Sequence, residues 1–103
     1  MYNYQLSPEM EEGKVLKFLN EVESTGWEPL FVFPVTASNW RVLTRENRVD
    51  VPNKYRLLPE AEEGLLNEAL RQMQEAGWSL FTLYSSPGHP GYWRIIAKRS
   101  TLG

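Results

Sequence analysis

The stretch YQLSPEMEEG at residues 4–13 decides the fold, because it returns as YRLLPEAEEG at residues 55–64. Ten of the 24 positions from residue 4 onward are identical to the residue 51 positions later. Farther along, WRVL at residues 40–43 returns as WRII at residues 93–96. A repeat this clear indicates a duplicated supersecondary unit. Each copy alone is so short that burying a core would be difficult, which favours packing of the two copies together.

The same order of elements is predicted in both copies: a short strand, a helix, and two further strands. Pro8 and Pro59 are expected in the first helical turns, and Ser7 is expected to cap the first helix. Apolar residues at helical spacing predict one core-facing stripe on each helix: Val15, Phe18, Leu19 and Val22, then Leu66, Ala69, Leu70 and Met73. Alternating apolar residues predict one buried face on each first strand: Tyr4 and Leu6, then Tyr55 and Leu57.

The helix ends are the most clearly specified feature. Gly26 and Gly77 fit the left-handed position that follows a helix, and Trp27 and Trp78 come directly after them. In this type of helix end, the residue after the glycine contacts an apolar residue in the last turn. Both glycines and both tryptophans are therefore predicted to be structural.

These elements predict an α+β fold made of two tandem β-α-β-β repeats with internal pseudo-two-fold symmetry. Both helices are expected on one face of a largely antiparallel sheet surface of six strands. Residues 1–103 are expected to form a single compact domain, with repeat 1 at residues 2–46, repeat 2 at 53–99 and a linker at 46–54.

Composition favours a globular chain rather than a disordered one, with 42% hydrophobic residues and a net charge of −2. The absence of cysteine excludes disulfides, a thiol nucleophile and a thiolate metal site. The amino-terminal residues do not resemble a signal peptide, and no apolar run is long enough to span a bilayer. We therefore expect a cytoplasmic protein with no membrane partner.

In each copy a helix ends in Gly-Trp, and an aromatic-rich strand with Trp-Arg closes the unit. The evidence is Gly26-Trp27-Glu28 and Gly77-Trp78-Ser79, then Trp40-Arg41 and Tyr92-Trp93-Arg94, with Lys98-Arg99 at the end. The chain resembles a tandem duplication of the short bacterial and phage domains of unknown function whose hallmark is Gly-Trp-Glu-Leu. The resemblance implies a small α+β fold and no catalytic role. Ser79 and Pro29 depart from the hallmark.

No set of residues predicts a reaction centre, so no catalytic residue, metal site or cofactor is expected. His89 is the single histidine, which argues against a transition-metal site. Ser85 and Ser86 lie near His89 on a turn-rich loop, but the sequence offers no carboxylate to orient the imidazole as a catalytic triad requires. We therefore predict that the chain is not an enzyme.

Two helices on one side of the sheet would leave its other face open, and a large apolar surface of this kind usually marks an interface. The residues predicted to form the binding surface are Phe31, Phe33, Arg41, Tyr84, His89 and Arg94. The expected function is a small binding module, such as a bacterial or phage accessory or inhibitor protein. Its expected partner is another protein or a second copy of the chain.

Two other binding functions remain open on the sequence. One is an anionic small molecule such as a nucleotide, held between the repeats by Arg41 and Arg94, with Arg45 or Lys98 as further contacts. The other is single-stranded nucleic acid stacked on aromatic residues of the open face. The acidic net charge disfavours long-range capture of nucleic acid.

Overall fold

A computed structural model describes residues 3–102 of the chain. Within them lie seven strands and two α-helices, in the order β1 (Tyr4–Leu6), α1 (Glu12–Val22), β2 (Trp27–Pro34), β3 (Trp40–Glu46), β4 (Asn53–Leu57), β5 (Ala61–Glu62), α2 (Leu66–Glu75), β6 (Ser79–Ser85) and β7 (Tyr92–Ser100). Short 3-10 helices follow α1 at Glu23–Thr25 and precede α2 at Glu63–Leu65. The predicted α+β class is confirmed.

The strands form two antiparallel sheets rather than one surface of six strands. Sheet A has the order β1-β3-β2. Sheet B is built around β7, which pairs with β6 along one edge and with β4 and β5 along the other. The strand that the sequence did not predict is β5, where Ala61 and Glu62 pair with Trp93 and Tyr92. The single sheet expected from the sequence is therefore corrected to two.

Both helices begin later in the chain than expected, since Pro8 and Pro59 were predicted to lie in their first turns. Pro8 lies outside α1 because the chain first stays extended, and Met10 exchanges two backbone hydrogen bonds with Trp40 of β3. Pro59 lies outside α2 because β5 comes between them. Ser7 does not cap α1: its buried hydroxyl accepts a hydrogen bond from the backbone N–H of Val42 at 2.9 Å. Pairing with the sheet has thus overridden the local helix-start signals.

Both glycines after the helices have the predicted geometry, but only α2 ends in the predicted hydrogen-bond pattern. After α1, the 3-10 helix at Glu23–Thr25 intervenes, and the backbone N–H of Gly26 donates to Glu23. Gly26 and Gly77 have φ values of 91° and 89°, in the left-handed region that favours glycine. After α2, the backbone N–H of Gly77 donates to Gln74 and that of Trp78 donates to Met73, which is the hydrogen-bond pattern of a Schellman motif. These bonds turn the chain directly from the helix into the next strand.

Sheet B is covered on both faces by two core clusters. The first cluster joins α1 to both sheets, through Val15 and Leu19 of α1, Val32, Trp40 and Val42 of sheet A, and Tyr55, Tyr84 and Ile96 of sheet B. The second cluster joins Met73 of α2 to Ile95 and Ala97. Because neighbouring residues of a strand point to opposite faces, Ile95 and Ile96 assign the clusters to opposite faces of β7. The helices therefore do not share one face of a sheet, which corrects that expectation.

The predicted apolar stripes on the helices are confirmed, and α1 has a second contact surface as well. Asn20 accepts a hydrogen bond from the backbone N–H of Tyr55 at 2.8 Å and donates to its carbonyl at 3.2 Å. The buried carboxylate of Glu23 accepts hydrogen bonds from the backbone and side-chain amides of Asn53 at 2.9 and 3.1 Å. These side chains satisfy backbone groups along the free edge of β4, so α1 and the 3-10 helix after it take the place of a neighbouring strand.

Each sheet contains one β-bulge, in β2 and in β6. Leu30 is the extra residue between Pro29 and Phe31, and Phe81 is the extra residue between Leu80 and Thr82. A bulge interrupts the regular alternation of faces along a strand. Phe81 therefore packs against the first core cluster while Leu83 packs against the second, although strict alternation would put both on one face.

Candidate functional site

The strand alternation of β3 determines which side chains of sheet A face away from the core. Trp40, Val42 and Thr44 are buried, so Arg41 and Leu43 between them project to the opposite side. We call this opposite side the open face. It carries Tyr4 and Leu6 from β1, Phe31 and Phe33 from β2, and Arg41 and Leu43 from β3, and the ion pair of Arg45 with Glu28 borders it beside Tyr4.

The open face is an apolar surface that crosses all three strands. Leu43 lies opposite Leu6 on one side and Phe31 on the other, and Phe33 lies opposite Arg41. Tyr4 is 59% exposed and Phe31 is 61% exposed. Aromatic side chains bring a large apolar area to a surface, so this cluster resembles an uncovered core more than an ordinary surface.

The cation of the open face, Arg41, is positioned by the backbone. Its Nε donates a hydrogen bond to the carbonyl oxygen of Ser7 at 3.1 Å. Within residues 3–102, Arg41 takes part in no ion pair, whereas the neighbouring Arg45 is bound to Glu28. Arg41 therefore offers an oriented positive charge beside the exposed aromatic rings.

The structure buries Tyr84 and half-buries Arg94 instead of placing them on an open face. Tyr84 is only 8% exposed, and its hydroxyl donates to the Glu12 carboxylate at 2.7 Å. Arg94 donates to both oxygens of Glu12, at 3.0 and 3.3 Å, and to the carbonyl of Leu58 at 3.2 Å. The prediction that Tyr84 lies on the uncovered face is wrong, because sheet B turns that face toward the first core cluster.

Burial and the Glu12 carboxylate control ionisation in this cluster. Burial is the larger cause that raises the pKa of Tyr84, and the hydrogen bond to Glu12 raises it further. For Arg94, burial alone would lower the pKa, but the hydrogen bond and the charge of Glu12 raise it above its usual range. Glu12 therefore binds a neutral phenol and a charged guanidinium at the same time, and these contacts join α1 to sheet B.

The loop that carries His89 forms a separate polar cluster. The His89 Nδ1 atom is 2.8 Å from a carboxylate oxygen of Glu60, and the imidazole stacks on the ring of Tyr92 with 3.7 Å between ring centroids. The hydrogen bond from His89 is the main cause that lowers the pKa of Glu60. Glu60 thus supplies the orienting carboxylate that the sequence did not reveal.

This cluster lacks the remaining geometry of a catalytic triad. A triad needs a serine hydroxyl that hydrogen-bonds to the imidazole. Within residues 3–102, no hydrogen bond joins the buried hydroxyl of Ser86 to the imidazole of His89. The His89 ring is fixed by Glu60 and Tyr92, which gives the loop a defined shape.

The structure does not bring Arg41 and Arg94 together around one pocket. A pocket of about 300 Å³ between the two halves of the chain is lined by Glu23, Glu28, Pro29, Leu30, Asn53, Tyr55, Phe81 and Lys98. It contains two carboxylates and one ammonium group, and neither arginine that was expected to hold an anion. The chemistry of this lining does not fit an anionic ligand.

Among residues 3–102, no group of three or more histidine, cysteine, aspartate or glutamate residues is arranged to hold a metal ion. Nor does this part of the chain contain a helix with the length and apolar character needed to cross a membrane.

Comparisons with known proteins leave the family open. No family model matches the chain, and no curated protein or solved structure matches it either. The resemblance to the Gly-Trp-Glu-Leu domains therefore stays a prediction, and the assignment of function rests on the geometry.

Three residues of the open face were missed by the sequence-based prediction of the site. Tyr4 and Leu6 were predicted to be buried, as Tyr55 indeed is at 5% exposed, and Leu43 was not considered. A signal for Leu43 was present, because strand alternation puts it on the same face as Arg41. No local signal distinguishes Tyr4 from Tyr55, since both lie in the same sequence pattern.

Proposed function

We propose that this chain is a non-enzymatic binding module, made of two β-α-β-β repeats, that recognises another protein through the open face of sheet A. The observation that carries the proposal is the exposure of Tyr4, Leu6, Phe31 and Phe33 on one sheet surface. An apolar surface of this kind on a folded domain usually marks an interaction site. From the resemblance stated above, we further infer a bacterial or phage accessory or inhibitor protein.

Corresponding strand pairing in the two halves supports the duplication. Leu6 lies opposite Leu43 in sheet A, and Leu57 lies opposite Ile96 in sheet B, 51 and 53 positions later. The bulged residues Leu30 and Phe81 are likewise 51 positions apart. This agreement of pairing and irregularity favours two copies of one unit over a chance similarity of sequence.

Comparison of the two halves supports a binding role for the open face. In the second half, the positions that correspond to the open face are Tyr55, Leu57, Thr82, Tyr84, Arg94 and Ile96, so a half-buried threonine stands where the open face has Phe31. Tyr55, Tyr84 and Ile96 are buried in the first core cluster, and Leu57 packs against it. The same kind of surface is therefore covered in one half and bare in the other, which favours a partner that covers the bare one.

A protein partner suits this face better than nucleic acid. The open face carries one unpaired cation, Arg41, and the whole chain is acidic, so the counterion release that drives nucleic-acid binding would be small. Adjacent leucine and phenylalanine side chains suit a dry, apolar contact, which is typical of the centre of a protein interface.

Site-specific photo-crosslinking inside cells tests the proposal. A benzophenone amino acid in place of Phe31 should give a discrete adduct with a protein, because this ring would lie at the centre of the contact. The same amino acid in place of Leu102, which is 84% exposed at the other end of the chain, is the control. No adduct at position 31 beyond that at position 102 would refute the binding function of the face.

A further inference from the structure

We propose that the partner is a second copy of this chain, and that the open face of one molecule binds the groove between α2 and β6 of the next. The inference rests on the proposed function and specifies the partner. It makes the contact heterologous, meaning that two different surfaces of the chain meet and both remain available at the ends of a growing assembly.

The contact between the two halves of one chain provides the template. There, the face formed by Tyr55, Tyr84 and Ile96 packs against α1 and sheet A. Pro29, at the start of β2, is buried beside this contact. The positions that correspond to α1 and Pro29 in the second half are α2 and Leu80, where no segment within residues 3–102 takes the corresponding place.

The second half has an open groove at the corresponding site. The groove has a volume of about 490 Å³ and is lined by Asn67, Leu70, Arg71, Met73, Gln74, Trp78, Ser79 and Leu80. Leu80 is 45% exposed there, whereas its counterpart Pro29 is buried. Apolar side chains on the floor and rim of the groove match the apolar side chains of the open face.

Two unpaired charges complete the match. Within one chain, Arg94 pairs with Glu12 and is oriented by the carbonyl of Leu58. Their counterparts are Arg41 on the open face, oriented by the carbonyl of Ser7, and Glu63 at the start of the α2 segment. Within residues 3–102, neither Arg41 nor Glu63 takes part in an ion pair. An Arg41–Glu63 pair between molecules would repeat the Arg94–Glu12 pair within one.

The groove between α2 and β6 offers fewer interactions than the corresponding contact between the two halves of one chain. Asn20 accepts and donates hydrogen bonds along the edge of β4, but its counterpart Arg71 can only donate and is already bound to Glu68 and Glu75. Asn67 likewise replaces the apolar Leu16. The contact between molecules therefore lacks several interactions of the internal one, so the assembly is reversible and depends on concentration.

Two single variants and their mixture test the inference. Phe31→Glu blocks the open face and leaves the groove intact, and Leu80→Glu does the reverse; both side chains are exposed, so both variants should fold. We expect the wild-type chain to exceed the 12.0 kDa monomer mass increasingly with concentration in sedimentation equilibrium. Each variant alone should remain a monomer, and an equal mixture should form a heterodimer that does not grow further.

The alternative outcomes overturn the inference in distinguishable ways. If Leu80→Glu still forms a dimer, the open face pairs with itself. If the wild-type chain stays monomeric at every concentration while position 31 crosslinks to a different protein, self-association fails and the binding function survives. Circular dichroism of both variants at the same concentrations verifies their folding.

Charge exchange gives an independent test of the pairing. Arg41→Glu and Glu63→Arg should each weaken association at least about tenfold, a common scale for the loss of a paired charge at an interface. The double variant with both changes should recover most of the affinity, since the charges are exchanged and the pair is restored. Failure of the double variant to recover would exclude the Arg41–Glu63 contact.

Discussion

At the level of single residues, Glu12 provides one polar connection between α1 and sheet B. Its carboxylate accepts hydrogen bonds from the Tyr84 hydroxyl and from the Arg94 guanidinium. The phenol can donate only while it is protonated. The strength of this connection therefore depends on pH in the alkaline range.

The stability of the protein should fall as the pH rises above the ordinary tyrosine pKa of 10.0. Burial raises the pKa of Tyr84 and of Tyr55 in the folded state, so only the unfolded chain releases these protons as the pH first passes that value. Each tyrosine then lowers the free energy of unfolding by at most about 1.4 kcal/mol per pH unit. In urea titrations, Tyr84→Phe should make this decline shallower, and an unchanged slope would contradict the assignment.

At the level of secondary structure, α1 and the 3-10 helix after it complete the edge of sheet B with side chains in place of a strand. Glu23 accepts two hydrogen bonds from Asn53 and is buried. Its counterpart in α2, Gln74, is exposed. Glu23 and Gln74 are thus corresponding positions, one with a hydrogen-bonded partner and one exposed to solvent.

Glu23→Ala should lower the free energy of unfolding by about 1–3 kcal/mol, because it leaves polar groups of Asn53 without their acceptor in a part-buried position. Gln74→Ala is the matched control and should change it by less than about 0.5 kcal/mol, as is usual for an exposed position. Urea denaturation measures both. Equal losses for the two variants would show that the contact along β4 contributes nothing.

Local signals predicted some features of the elements and failed for others. The apolar stripe of α2 and the left-handed Gly77 were predicted correctly, since spacing and backbone geometry act over a few residues. The helix starts were predicted too early, because Met10 pairs with Trp40, which lies 30 positions away. Strict alternation from Leu83 would put Phe81 on the wrong face of β6, because alternation does not allow for a bulge.

At the level of the whole molecule, the first core cluster makes the two halves interdependent. Ile96 of sheet B is almost fully buried and belongs to the same cluster as Val42 of sheet A. Neither half keeps its complete core if the other unfolds. The chain should therefore unfold in one cooperative step.

Hydrogen exchange can measure this interdependence. Ile96→Ala should lower the free energy of unfolding by about 2–5 kcal/mol, the usual range for truncating a buried isoleucine. The amides of β3 in sheet A should lose as much protection as those of β7, although the substitution lies in sheet B. Unchanged protection in β3 would show that the halves unfold independently.

The candidate site also shows a limit of predicting structure from a repeated sequence pattern. Phe31, Phe33 and Arg41 were predicted on an open face and lie there. Tyr84 and Arg94 occupy the corresponding positions of the second copy and were assigned to the same kind of face, but Tyr84 is buried and Arg94 is half-buried beside Glu12. Two copies of one pattern receive the same prediction, whereas packing of one copy against the other gives them different environments.

The bulges in β2 and β6 have a consequence for how the chain tolerates changes of length. Leu30 and Phe81 are outside the regular pairing. Deleting either one would leave an uninterrupted antiparallel ladder, because the residues on its two sides already pair with consecutive residues of the neighbouring strand. Deletion of Phe81 would also remove the ring that meets Tyr55 edge-on, with 5.1 Å between centroids. Deletion of Leu30 should therefore destabilise the fold less than deletion of Phe81. Each bulge lets its strand lose one residue without loss of pairing.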